Sequence, residues 1–431
     1  RYRPAEALPL VERGLALADS GDSRAALLVL KGDVLLDGGR AREALAAYQE
    51  ALQSGGEPRN RSLALLGSAS ARRILDELPA ALDDVAAAQA LAAAGGWLDV
   101  EARCRFTRGN LYFPLGRVDD CLVEHQAALD LAERSGSAEA KARALGGLGD
   151  AEYARGNVVS CGRYFQNCVE ESRKIGLGRV EVSNLPMYGH ALFFNLRLEE
   201  GLAAGRQCIE LAVAVGQARA EMIGHHTCIA VLFENCRFED ARQHVERARA
   251  IVRELEALRF EPENLAFLAD IEVEGGRIDL ARQLLAEAVS LARKTAMAYW
   301  GPAVLAASAC LAEDRAEQQA MIDEAEALLG GKVLAHNHFL ARRCLIDLGH
   351  QRRDPDMMED QCAKLLAYYN REPMPLAEGI ARRGRVLAAA LRGKPSAAMA
   401  VDAQVLLDMS VTGGATRLAR GLDTALRQLG R

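Results

Sequence analysis

Four aromatic residues recur along this chain at one interval of forty: Phe113, Tyr153, Phe193 and Phe233. Three of them are preceded, three positions earlier, by a hydrogen-bonding residue: Asn110, Asp150 and His190. On a helix, positions three apart share a face. Such a series suits binding chemistry. The rings would grip an apolar segment, and the polar groups would hydrogen-bond an extended peptide backbone. The same rings would also serve as packing between neighbouring helices. The sequence leaves both readings open.

Other chemistry-bearing groups are sparse. His225-His226 and His336-Asn337-His338 are the close histidine groups. Metal sites draw three or four ligands at defined spacing, and adjacent histidines on a helix diverge by about 100°. A surface or satisfied core role is expected for both. Cys161 and Cys168 share a helix face, but their α-carbons would lie about 10 Å apart, beyond the span of a disulfide. The carboxylates sit beside Arg and Lys, as Glu239-Asp240 does near Arg242, which reads as a solvated face. No dinucleotide, P-loop, zinc-protease or nucleophile-elbow motif occurs. The expectation is a segment with no catalytic residue, metal or cofactor.

The elements that position these residues follow from a second periodicity. Pairs of small residues seven apart recur: Ala7/Gly14, Ala44/Ala51, Ala81/Ala88, Cys121/Ala128, Cys161/Cys168, Gly201/Cys208, Ala241/Ala248, Ala281/Ala288 and Ala320/Ala327. The pairs step by 37, 37, then 40 five times, then 39. Seven residues are nearly two helical turns, so each pair lies on one face and admits a close neighbour. Turns keep the same beat. Gly39, Gly116, Gly156, Cys236 and Gly276 each stand just before a small pair. Gly96, Gly136, Gly176 and Gly216 fall after one. Glycine ends helices because it takes the left-handed conformation cheaply. Pro4, Pro79, Pro355 and Pro395 fall where a second helix begins. Pro114 should end or kink its helix, and Pro186 is expected in a first turn.

The unit is therefore helix, short turn, helix, short turn. About nine units are expected over residues 1–330, the first with its second helix only, and two degraded units or a cap over 331–431. Arg179-Val180-Glu181-Val182 is the best strand candidate and reads better as a helix start. The fold class is all-α, a right-handed superhelical solenoid of antiparallel helix pairs. Composition agrees. Half the residues are apolar, only 5% are aromatic, and Ala, Leu, Arg and Glu abound. The net charge of −6 argues against a polyanion-binding role, so no nucleic acid is expected. From Arg371 to Arg431 the chain turns basic, with ten Lys/Arg against five Asp/Glu. That is a solvated face or a contact for an acidic neighbour. None of the ten cysteines forms a CxxC pair. Reduced buried thiols and a cytoplasmic location are expected, with no signal peptide and no membrane span. The opening Arg1-Tyr2-Arg3-Pro4 suggests a piece of something longer.

These residues resemble the tetratricopeptide repeat family. Leu148-Gly149, Tyr153, Gly156, Cys161 and Phe165 follow its pattern, as do Gly32, Gly39, Ala44, Tyr48 and Ala51, and Gly109, Tyr112, Gly116, Cys121 and Ala128. The match covers roughly residues 3–330. Two features depart from it: the period is about 40 rather than 34, and the terminal proline is missing. HEAT-like repeats are the runner-up. The family binds partners on the concave face lined by first helices. The resemblance therefore implies a protein or peptide partner on a floor formed by Asn110, Phe113, Asp150, Tyr153, His190, Phe193 and Phe233. A narrower likeness lies in residues 147–156, Tyr164-Phe165 and residues 178–185. These are similar to the repeat arm of bacterial signalling proteins that carry a class III nucleotide cyclase and a P-loop ATPase domain. That implies a regulatory arm with an attached cyclase or ATPase, its catalytic sites outside this segment. A peptide or small-ligand sensor is the remaining expectation.

Overall fold

The computed structural model describes residues 4–393 and 396–429. Among them there are 22 α-helices and no strand. Helix α1 (Pro4–Leu17) stands alone at the start. The pairs α2/α3 (Gly21–Asp37, Ala41–Gln53), α4/α5 (Pro58–Ile74, Leu78–Gly95) and α6/α7 (Leu98–Tyr112, Val118–Ser135) follow. Next come α8/α9 (Ala138–Arg155, Val158–Lys174), α10/α11 (Gly178–Phe194, Leu198–Val215) and α12/α13 (Ala218–Glu234, Phe238–Leu255). A 3-10 turn, Leu258–Phe260, leads into α14/α15 (Glu261–Glu274, Ile278–Thr295). The array closes with α16/α17 (Met297–Leu311, Arg315–Leu329), α18/α19 (His336–Gln351, Pro355–Tyr368), α20/α21 (Pro375–Leu391, Ala397–Gly413) and α22 (Leu422–Leu429).

Local chemistry sets these boundaries. Ser20, Ser137, Asp314 and Asp354 each accept a backbone N–H three residues on, satisfying an orphan donor of the first turn. Gly96, Gly136 and Gly216 close second helices at φ of +66°, +67° and +70°. Pro79 and Pro355 fall in first turns of α5 and α19, and α6 ends at Tyr112, ahead of Pro114. Pro395 lies outside the described residues.

Seven of the small pairs, from Ala44/Ala51 to Ala281/Ala288, are buried on second helices, and Ala81, Ala88, Cys161 and Cys168 have no exposed surface. Ala7 and Gly14 are half-buried on the terminal helix α1. The ninth pair differs from expectation. Ala320 and Ala327 are exposed, and the buried pair on α17 is Gln318/Ala325. The extended link after α16 shortens the step by two residues. Gln318 stays satisfied there by donating its Nε2–H to Ala309 O at 2.6 Å. Forty residues further on, Met358 and Leu365 hold the same buried places on α19. The helical register continues while its small-residue signature is lost, which is why the pattern fades beyond residue 330.

Pro186 is a second correction. It lies inside α10, not in a first turn. Proline cannot donate to the carbonyl four residues back. That carbonyl, Val182 O, lies 3.5 Å from the Cys208 thiol, which it shares with Ala220 O at 3.3 Å. The Arg179–Val182 segment is the first turn of α10.

First helices approach closely where they meet the ring of a second helix. Tyr48 lies fully buried between Gly32 and Gly67, and its hydroxyl donates to Asp33 Oδ1 at 2.7 Å. A Cβ on Gly67 would overlap that ring. Gly67→Ala is expected to destabilise the protein by roughly 1–3 kcal/mol through overpacking, read as a lower urea midpoint with an unchanged m-value.

The array then winds past one superhelical turn and packs on itself. Contacts join residues 109 to 214 positions apart. Asp37 pairs with Arg179, Arg42 with Glu256, and Asp76 with Arg259. Ala335 N–H donates to Ala154 O at 3.0 Å. Glu372 caps α9 from the next turn, accepting from Val159 N at 2.6 Å and Ser160 N at 3.0 Å. The basic C-terminal stretch pairs within the chain, Arg417 with Asp270 and Arg420 with Glu274. The accessible surface is 17954 Å². A close-packed monomer of 46.5 kDa would expose about 16,000 Å², so the array is nearly as compact as a globular chain and keeps some extra surface.

Candidate ligand cavity

The second turn converts the concave face into the wall of a central cavity of about 440 Å³. That lies within the usual range for ligand sites. Its wall is made mainly by first helices, from the end of α2 to α18, with Leu255 at the end of α13 and Arg417 after α21. All seven expected residues line it: Asn110 on α6 and Phe113 just past its end, Asp150 and Tyr153 on α8, His190 and Phe193 on α10, and Phe233 on α12.

The aromatic series does not form a continuous ladder. Phe113 and Tyr153 stack, with centroids 6.1 Å apart and planes at 16°. Phe193 and Phe233 are nearly fully buried. Phe233 packs on Phe267 at 4.9 Å. The ring that continues from Tyr153 is Phe194, at 5.9 Å. Helix α18 covers both: Phe339 lies edge-on to Phe194 at 5.5 Å, and His336 Nδ1 meets the Tyr153 hydroxyl at 3.0 Å. The expected open floor is thus roofed by the chain's own later units, and half of its rings serve as packing.

Burial fixes the protonation of the lining. His190, His226 and His336 are each pushed down to about 4 by burial and are neutral. His336 Nε2–H donates to Tyr299 O at 2.6 Å, so its Nδ1 accepts from Tyr153. His190 Nδ1 engages Thr227 Oγ1 at 2.8 Å. His226 Nε2 donates to Asn264 Oδ1 at 3.0 Å, and its Nδ1 faces Glu263 at 3.5 Å. Burial pushes the Glu263 carboxyl up to about 8, so at pH 7 it is a neutral acid beside a neutral imidazole. Asp150 is raised to about 6 by burial, opposed by Arg219 and Arg73. Asn110 and Asp150 make no hydrogen bond or close ion pair among the described residues.

A set of residues that the aromatic series did not single out also lines the cavity. Arg179, Arg219, Arg259 and Tyr299 stand forty apart. Each sits in the opening turn of its unit: α10, α12, the 3-10 turn before α14, and α16. This spacing is as regular as the aromatic one and was open to sequence reading. Arg73 is the residue forty before Phe113, on α4. His226, Glu263 and His336 carried no comparable signal.

His225 Nδ1 lies 2.8 Å from His244 Nδ1, away from the cavity. Among the described residues no group of three His, Cys, Asp or Glu could hold a metal ion, and no helix is long and apolar enough to cross a membrane. Cys161 and Cys168 are core residues, and Cys168 Sγ donates to Ala142 O at 3.1 Å. Burial pushes the Cys168 and Cys208 thiols up to about 12. The site offers shape, hydrogen bonds and charge rather than an activated nucleophile.

No family model matches the sequence, and no curated protein matches it. Solved structures do. The chain is similar to a Rap protein complexed with competence and sporulation factor, with 16% identity and a TM-score of 0.55 over 86% of this chain and 100% of that one. It is also similar to the apo form of RapI, with 12% identity and a TM-score of 0.46 over 63% and 98%. A third is the apo quorum sensor NprR from B. thuringiensis, with 11% identity and a TM-score of 0.43 over 85% and 97%. At these identities the likeness concerns the fold, a helical-repeat solenoid of tetratricopeptide type.

Proposed function

We propose that this chain is a ligand-sensing repeat arm that takes a short peptide or small polar molecule into its central cavity. The carrying observation is the cavity of about 440 Å³ between superhelical turns, with the Asn110 and Asp150 side chains on its wall and unbonded among the described residues. An unpartnered polar group on the wall of a partly covered cavity gains from a ligand that bonds it. The reading of a long partner strand laid along an open groove is less favoured, because α18 occupies that face. The solved neighbour in complex with a competence and sporulation factor supports a factor-binding role for the fold.

The mechanism is a change in winding. A ligand touching first helices of several units biases the set of superhelical pitches that each inter-unit interface allows. The Arg42–Glu256 and Arg420–Glu274 pairs across turns are surface-placed, so they yield readily. Changed pitch would reach an effector attached to the arm. The likeness of residues 147–156 to cyclase–ATPase arms names one such effector.

The test is a thermal-shift screen of the intact chain with short-peptide and metabolite pools, followed by calorimetry of the hits. Asn110→Ala and Asp150→Asn should each weaken a cavity ligand about tenfold, the value of one hydrogen bond in a closed site. Hits that bind both variants unchanged would place the ligand elsewhere and overturn the reading.

A further inference from the structure

The arginine ladder is unevenly partnered. Its first rung, Arg179, pairs with Asp37, and its third, Arg259, pairs with Asp76 and donates to Arg73 O at 2.8 Å. The middle rung, Arg219, has no hydrogen bond or ion pair among the described residues, and its Nε is buried without a partner. The Arg73 side chain reaches the same space from α4 and has no hydrogen bond or ion pair among the described residues. The guanidinium carbons of Arg219 and Arg259 lie over one Phe260 ring, at 5.8 and 4.7 Å. The arginines are therefore gathered at one wall of the cavity.

Charge does not balance there. Three guanidinium groups face Asp76, already committed to Arg259, and Asp150, which touches neither free arginine closely enough to pair. Arg73 is held well below its ordinary value by burial and then by Arg219 and Arg259, and Arg219 is lowered by burial and Arg259. Arginine does not give up its proton in proteins. The lowering reflects first the loss of water around these guanidinium groups and then their mutual repulsion, and an anion paired with them would offset both. Guanidinium forks match planar carboxylate and tetrahedral phosphate oxygens in geometry.

We infer that Arg219 and Arg73, with Arg259 alongside, form an anion subsite of the cavity that takes a carboxylate or phosphate group of its ligand. This rests on the reading of the cavity as a ligand site and adds the chemical class of what enters it. The ligand is an acidic small molecule, a phosphorylated one, or a peptide whose terminal carboxylate meets the arginines. Asp150 and Asn110 then face the less acidic part of the same molecule.

The experiment uses the intact chain with inorganic phosphate and glutarate as separate probes, against chloride at matched ionic strength. Midpoints of thermal unfolding are followed over a concentration series for the wild type, Arg219→Met, Arg73→Met and the surface control Arg61→Met. The wild type and Arg61→Met should show a saturable rise with at least one probe. The probe that saturates at lower concentration assigns phosphate or carboxylate. Arg219→Met and Arg73→Met should need about tenfold more anion or lose the response. Without anion they should melt no lower than the wild type, because a crowded positive charge has gone. An anion response surviving in both variants is a general salt effect and overturns the inference, as does no response in the wild type. Peptide or metabolite hits that bind Arg219→Met and Arg73→Met at full strength would leave the cavity reading standing and sink the anion subsite alone.

Discussion

Glu263→Gln is expected to make the protein more stable at pH 8 by several kcal/mol, and to leave it nearly unchanged at pH 4. The Glu263 carboxyl is raised by burial from 4.5 to about 8. Below the unfolded value both states hold the proton, so the side chain costs nothing. Between about pH 4.5 and 8 the unfolded chain releases the proton and the folded chain keeps it. Stability therefore falls as pH rises through that window, by at most ~1.4 kcal/mol per unit. Above pH 8 the loss is complete. Gln is neutral throughout, fits the same volume and offers an N–H to His226 Nδ1. The check is guanidinium unfolding of both proteins at pH 4, 6 and 8. A difference that does not grow with pH would show that this carboxyl is not held neutral.

The second large effect concerns closure of the cavity. Arg343 on α18 grips Glu234 at the end of α12, with Nη1 to Oε2 at 2.7 Å and Nη2 to Oε1 at 3.4 Å. The side chains are 7% and 2% exposed. Removing one partner of a buried pair leaves the other charge desolvated. Arg343→Met should cost roughly 3–5 kcal/mol. Arg417, whose charge also acts on Glu234, recovers part of this. The double variant Arg343→Met, Glu234→Gln should regain most of the stability, since no charge is then stranded. Denaturant midpoints of the two singles and the double form the cycle. A double variant as unstable as Arg343→Met would show that the cost is packing rather than charge.

How much of this was legible in the sequence follows from the range of each interaction. The Gly96 to Gly216 series and the small pairs report local helix ends and contacts between successive helices, and these recur every unit. The Ala320/Ala327 register failed because the link before α17 is shorter and Gln318 replaces a small residue. Pro186 misled because the carbonyl that a mid-helix proline strands faces a distant thiol, Cys208, which no local pattern marks. The seven candidate residues share the cavity wall because a forty-residue step selects one face of each first helix, and that face lines the cavity. What covers them was not legible. The Tyr153–His336 and Glu234–Arg343 contacts join single residues more than a hundred positions apart, and no period marks them. The superhelical pitch that brings them together sums small rotations over many units. The arginine ladder was within reach, since Arg179, Arg219 and Arg259 keep the same forty-residue step as the rings.

The central claim is that later units roof the concave face of earlier ones. Small-angle X-ray scattering of the intact chain tests it most directly. A closed array of 431 residues should give a radius of gyration near 22 Å, rising only slightly for the hollow centre, with a single compact distance distribution. A markedly larger radius, with a distribution tailing into an elongated shape, would mean an open spiral and would contradict the roofed concave face.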